Sequence, residues 1–318
     1  MSNQTRNGKA FEYALLSSIY DTIGNVVPIS IIEDDSYNLT CECFMELNPL
    51  EQAEYIKASN AAILHLQELE PKLLHPVKDD DILTLKIQPD SAGISGDVRD
   101  ILTLRLKYGW EVGISAKKNH TAVKHSRLSN SIDFGKKWLG VNSGDDYFNA
   151  IMPIFDELAQ LRAEGELWHN IPNKIERFYK PVLESFKAEI LRIDKLKPSH
   201  TAPTLLKYLI GTKDFYKIIK GSKKTEIQAY NINGTLNQSS GKIKPSIKVP
   251  KLKLPNRIIE IAYKPQSTNT LIITFDEGWQ ISFRIHNASS IVEASLKFDV
   301  QLHGRPTSLY THIELWQE

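Results

Sequence analysis

ISGDVRDILTLRLKYGWEVGISAKKNH, residues 94–120, carries the clearest structural signal in the chain. Leu102, Leu104 and Leu106 alternate on one strand. Trp110, Val112, Ile114 and Ala116 alternate on the next, with Glu111, Gly113, Ser115 and Lys117 between them. Period-two alternation on both sides of Tyr108-Gly109 predicts a β-hairpin, because successive strand side chains face opposite ways and Gly tolerates the positive φ of a tight turn. Folding back there brings Asp100 beside Ala116 and Lys117. If all the apolar residues share one face, Asp100 lies opposite Ala116, and a bulge or twist must bring Lys117 round.

An acid and a lysine on paired strands suit phosphodiester hydrolysis. A carboxylate binds a hard divalent cation through oxygen. Such a cation polarises the phosphate and acidifies a bound water. The lysine orients that water or offsets charge developing on phosphorus. The ordinary alternative is a hairpin with a turn-flanking Asp and a solvated Lys.

The 318 residues suffice for one large domain or two smaller ones, and 41% hydrophobic with 24% charged residues is usual for a globular chain. Cys41 and Cys43 are one residue apart, a poor spacing for a disulfide or zinc site; on a strand they share a face and pack. A reducing cytoplasm fits this usage. No signal peptide and no membrane-length apolar run is visible, and no protein partner is evident. Net charge is +1, unevenly spread: residues 1–100 carry −10 and residues 211–260 carry +8. The basic block suggests an anionic partner, and the acidic part suggests cation binding by some of its acids; a merely solvated basic surface is the alternative.

Residues 7–21 predict an amphipathic helix with Phe11, Leu15 and Ile19 on its apolar stripe and Glu12 at the stripe's edge, where a Glu is ordinarily solvated; the alternative is that it points into a site beneath. Residues 26–44 read as strand-rich, broken by the acidic turn Glu33-Asp34-Asp35. Asn48-Pro49-Leu50-Glu51 is a strong helix start, with the stop expected near Glu70 before Pro71. His65 and His75 have no ligand partner at useful spacing and read as structural. Residues 83–87 predict a strand pairing with the central hairpin. Lys117, Lys118, His120, Lys124, His125 and Arg127 form a polar basic segment without hydrophobic periodicity that reads as a loop, placed to contact DNA if the strand before it cuts phosphodiesters and merely solvated otherwise. Helices are expected over 143–165, kinked or split at Pro153, over 174–197, interrupted at Pro181, and from Thr201 to Gly211. Phe215, Tyr216 and Ile219 suggest a last amphipathic turn. Residues 225–237 read as a hairpin around Asn233-Gly234. Lys242, Lys244, Lys248, Lys251 and Lys253 alternate with apolar residues and prolines in what reads as an extended basic edge arm for DNA phosphates. Strands are expected over 258–264, 270–275, 279–285, 292–300 and 309–316.

GDVRDI followed by EVGISAKK resembles the PD-(D/E)xK nuclease core of many type II restriction endonucleases. From NGKAFEYALLSSIYD to ELWQE, the chain as a whole resembles the HaeIII restriction endonuclease family. The resemblance implies an α/β restriction-endonuclease-like mixed-sheet core with helical elaboration and a β-rich basic C-terminal part. It also implies Mg²⁺-dependent cleavage of double-stranded DNA at GGCC. The family's first acid falls on Asp100, with Asp97 as the alternative, and its lysine on Lys117. Its second acid falls on Ser115, a neutral and poorer cation ligand. Glu12 and Glu111 are the two candidates to compensate, with the Ala116 carbonyl as a further metal ligand. The expected regions are a catalytic core over 1–140, a helical region over 141–222 and a β-rich DNA-binding region over 223–318. Two rival readings are a structure-specific repair or recombination nuclease on the same core, and a non-catalytic DNA-binding module built on the basic block.

Overall fold

The computed structural model describes residues 3–75, 81–93, 96–119 and 122–317. The chain forms two compact units. The first is built from residues 1–121, 212–253 and 308–318, and the second from residues 122–211 and 254–307.

In the first unit, helix α1 spans Asn3–Ile23 and strand β1 spans Ile29–Ile32. Strand β1 lies in the first half of the predicted strand-rich segment, and helix α2 (Asp35–Met45) replaces its second half. Asp34 belongs not to a turn but to an N-cap: its Oδ1 accepts from the amides of Ser36 and Tyr37 at 3.0 and 3.1 Å. That satisfies two of the orphan donors at the helix start. Cys41 and Cys43 are therefore two apart on a helix and do not share a face; Cys43 alone is buried. Helix α3 (Pro49–Leu69) starts and ends as expected, with Asn48 capping the Glu51 amide at 3.0 Å. A single helical turn, α4 (Pro71–Leu74), follows.

Strands β2 (Leu83–Ile87), β3 (Ile101–Arg105) and β4 (Trp110–Lys118) give the expected antiparallel set. The turn between β3 and β4 is a short 3-10 piece over Leu106–Tyr108 closed by Gly109 at φ 59°. Strand β6 (Phe215–Lys220) lies parallel to β4, where the sequence suggested a helical turn. Six consecutive buried residues explain this: a strand covered on both faces loses the alternation that marks it. Strand β7 (Lys224–Tyr230) forms its hairpin with β6, not with residues 235–237. Strand β12 (Tyr310–Leu315) pairs with β7 and closes one edge, so the sheet order is β1-β2-β3-β4-β6-β7-β12. Phe11, Leu15 and Ile19 of α1 and Tyr55, Ala58, Ala62 and Leu66 of α3 share one core with Ile101, Val112, Ile114 and Ala116 of the sheet.

In the second unit, β5 (Ser126–Leu128), β8 (Ile258–Tyr263), β9 (Thr270–Phe275), β10 (Gln280–His286) and β11 (Leu296–Gly304) form an antiparallel sheet. Its order is β5-β11-β10-β9-β8. The helices are α5 (Asp145–Ala163), α6 (Lys180–Leu196) and α7 (Thr201–Ile210). Helix α5 runs unbroken through Pro153, which lies exposed on its solvent side. Pro181 sits in the first turn of α6, where a missing N–H costs nothing. Phe134, Trp138, Phe186, Phe283 and Phe298 form an aromatic core with ring centroids 4.9–6.3 Å apart. The mixed sheet with flanking helices agrees with the restriction-endonuclease-like fold expected above. Among the described residues no helix is long and apolar enough to cross a membrane.

Candidate active site

The register of β3 on β4 creates the site. Ile101 faces Ile114, Leu102 faces Gly113 and Thr103 faces Val112 in an unbroken ladder. This is one residue away from the all-apolar alignment. The core face of β3 carries Thr103 and the fully buried Arg105, whose guanidinium binds Asp81 at 2.8 Å and the Lys72 and Leu73 carbonyls. Leu102 and Leu104 take the opposite side with Gly113 and Glu111. Because a one-residue shift exchanges faces, no bulge is needed to bring Lys117 to Asp100. The close approach on that side depends on Gly113: a Cβ there would meet Arg99 Cδ at 2.0 Å.

Asp100 sits just before β3, its amide donating to the Ile114 carbonyl at 2.8 Å. Its Oδ2 accepts three hydrogen bonds: from the Ala116 amide at 2.7 Å, Ser115 Oγ at 3.1 Å and Lys117 Nζ at 3.1 Å. Ser115 is buried, whereas Asp100 and Lys117 are partly open. The carboxylate is thus aimed by backbone and side-chain donors while it stays accessible.

Glu12 approaches from α1 and is buried. Burial, with the Asp100 charge adding to it, pushes its carboxyl up to about 8, against the opposing pull of Lys9 and Lys117. Lys9 Nζ binds Glu12 Oε2 at 3.1 Å and Asp90 Oδ1 at 2.6 Å. Burial alone would lower the Lys9 pKa, but these two carboxylates outweigh it and raise it. No local sequence pattern singles out Lys9 or Asp90. Lys9 is a helix residue three before Glu12, and Asp90 is in a 3-10 turn 81 residues further on. Only the docking of α1 against this region joins them.

The other candidates are placed as follows. Glu111 binds Arg99 at 2.9 Å and lies 3.8 Å from Lys213. Asp97 is held by Arg99 through both oxygens, at 2.7 and 2.8 Å. Lys118 Nζ donates to Tyr55 Oη at 2.9 Å. Lys124 lies over the Tyr208 ring at 4.5 Å, and Arg127 binds Glu293 and Ser295. Lys242, Lys244, Lys248, Lys251 and Lys253 are all exposed along a segment without regular strand pairing, its buried residues being Val249 and Leu252. His120 lies outside the described residues.

Asp100, Glu12 and the Ala116 carbonyl are hard oxygen donors, and Lys117 is a cation beside them. The burial of Glu12 suits a group that becomes charged only when a cation arrives. Comparison with known proteins points the same way. The family model for HaeIII restriction endonuclease matches residues 8–306. The type II restriction enzyme HaeIII of Haemophilus aegyptius is 42% identical over 322 residues, covering 100% of both chains. By full-length identity and a match that spans both units, this chain belongs to the HaeIII restriction endonuclease family.

Proposed function

We propose that this type II restriction endonuclease cuts double-stranded DNA with Mg²⁺, at the GGCC site the family implies, and works in the cytoplasm. The observation that carries the reading is the single Asp100 oxygen that meets Lys117 Nζ and the Ala116 amide, with Glu12 adjacent. Asp100, Glu12 and the Ala116 carbonyl would hold the divalent cation. The bound cation would polarise the scissile phosphate and acidify water. Lys117 orients the attacking water and offsets charge on the phosphate oxygens. Ser115 stands where the family places its second acid. Glu12 supplies the missing negative charge from α1, and Lys9 with Asp90 keeps Glu12 in position. Glu111 is committed to Arg99 and serves structure rather than the cation.

The exposed lysines 242–253 contact backbone phosphates, as Lys118, Lys124 and Arg127 do from other elements. Phosphate contacts set affinity and orientation and leave base reading to other groups.

The test is digestion of long duplex DNA with and without Mg²⁺ by the parent and by Asp100→Ala and Lys117→Ala. Discrete fragments from the parent are expected, with each variant slower by several orders of magnitude yet still binding DNA. The double variant should be little worse than either single one, because groups that act in one step are not additive. Uniform nicking would favour a structure-specific nuclease, and binding without cutting would leave only a DNA-binding module. Efficient cleavage by correctly folded Lys117→Ala would remove that residue from the reaction.

A further inference from the structure

Strand β12 presents Tyr310, His312 and Glu314 inward, while Thr311, Ile313 and Leu315 face solvent. The inward row of a sheet strand is ordinarily apolar, since it covers the core. Here it is polar, and it meets His65 of α3, whose side chain is almost fully buried. The His65 and His312 rings stack with centroids 3.7 Å apart and planes 10° from parallel. His65 Nε2 lies 2.8 Å from Tyr310 Oη and its Nδ1 3.2 Å from Glu68 Oε2. His312 Nε2 lies 2.9 Å from Glu314 Oε2. Two imidazoles and two carboxylates thus converge where one helix docks on the sheet's edge strand.

We propose that His65, His312 and Glu314 form a binding site for a divalent transition-metal ion of the zinc class, separate from the nuclease centre. One ligand atom from each of the three already lies within 4.8 Å of the others. Ligand atoms around a tetrahedral zinc ion, at bonds of about 2.0–2.1 Å, are roughly 3.3 Å apart. The stacked His65 and His312 rings hold their in-plane lone pairs in parallel planes, so metal binding requires His312, and with it Glu314, to turn by side-chain rotation; their side chains are 34% and 40% exposed. Glu68, i+3 from His65 on the helix, lies 3.2 Å from His65 Nδ1 and is the partner that orients the His65 ring. Imidazole with carboxylate selects zinc, copper or nickel over Mg²⁺, which prefers an all-oxygen set. The spacings fit: i,i+3 on a helix and i,i+2 on a strand each put both ligands on one side. The bound ion would pin β12 to α3.

The test uses the full chain in excess Mg²⁺, titrated with Zn²⁺ by calorimetry and with Co²⁺ by visible absorption. One Zn²⁺ per chain, a tetrahedral Co²⁺ band and a Zn²⁺-dependent rise in Tm are expected. All three should persist in Asp100→Ala and vanish in His312→Gln. Glu314→Gln, at the half-exposed rim, should weaken binding at least ~10-fold and serves as the second variant if His312→Gln does not fold. Absence of stoichiometric Zn²⁺ in the parent would overturn the proposal. So would binding that disappears in Asp100→Ala but is retained in His312→Gln and Glu314→Gln, since that would place the ion in the nuclease centre.

Discussion

Replacing Glu12 with Gln should stabilise the metal-free protein while it abolishes cleavage. The Glu12 carboxyl is raised from 4.5 to about 8, chiefly by burial and next by Asp100. A raised carboxyl means that the folded chain holds a proton which the unfolded chain releases. Stability therefore falls as pH climbs from about 4.5, and the full cost is reached above about 8. Each pKa unit is worth about 1.4 kcal/mol, so at pH 7 keeping Glu12 in place costs on the order of 3 kcal/mol. Gln has the same shape and carries no charge. Lys9 keeps Asp90 as its partner at 2.6 Å. In EDTA at pH 7 the variant should gain several degrees in Tm, at roughly 2–4 °C per kcal/mol, and the gain should fade towards pH 4.5. Mg²⁺ should protect the parent and leave the variant's Tm unchanged. Thermal denaturation across pH, with and without Mg²⁺, measures all of this. A variant less stable than the parent at pH 7, or one with the parent's pH slope, would show that Glu12 is not a strained buried acid.

Three further outcomes are expected. Ser115→Ala removes one of three donors to Asp100 Oδ2 and should keep measurable cleavage, with a drop far smaller than that of Asp100→Ala in single-turnover assays. Neutralising Lys242, Lys244, Lys248, Lys251 and Lys253 together should weaken DNA binding and flatten the plot of log affinity against log salt by up to about 0.9 for each phosphate no longer neutralised; an unchanged slope would place the segment away from DNA. Gly113→Ala sets a methyl group 2.0 Å from Arg99 Cδ. It should cost about 1–3 kcal/mol by overpacking, read as a lower denaturant midpoint, and activity should fall as Arg99 leaves Asp97 and Glu111.

Much of the first unit is legible in the sequence because its elements obey local rules. Helix α3 carries a capping Asn and an N1 proline, and β2, β3 and β4 alternate in period two. Burial on both faces and polar residues turned inward hide the rest. Strand β6 is a near-continuous apolar run with Lys217 and Lys220 buried in it, so its periodicity does not distinguish strand from helix. The β3–β4 register departs from the all-apolar alignment because Arg105 satisfies its charge inside, through Asp81. No hydropathy pattern forecasts that. In the site, Asp100, Ser115, Ala116 and Lys117 stand out because their contacts are local, and Glu12 because it borders a helical stripe. Lys9 and Asp90 leave no comparable mark. His65 reads as structural because its neighbours His312 and Glu314 lie about 250 residues away along the chain.

The parallel pairing of β4 with β6 has a consequence for how the chain folds as it is synthesised. Glu12, Asp100 and Lys117 have all emerged by residue 117, but the strand that covers the open side of β4 begins at Phe215. Roughly a hundred residues, including much of the second unit, must pass before that edge closes. Until then the strand bearing Lys117 is an unpaired template for other chains. Long-range parallel pairing of this kind is slow, because loop closure precedes any gain from contact. A ribosome-bound fragment ending near residue 120 should therefore be prone to aggregation and inactive as a nuclease, so the cutting centre matures only late in translation.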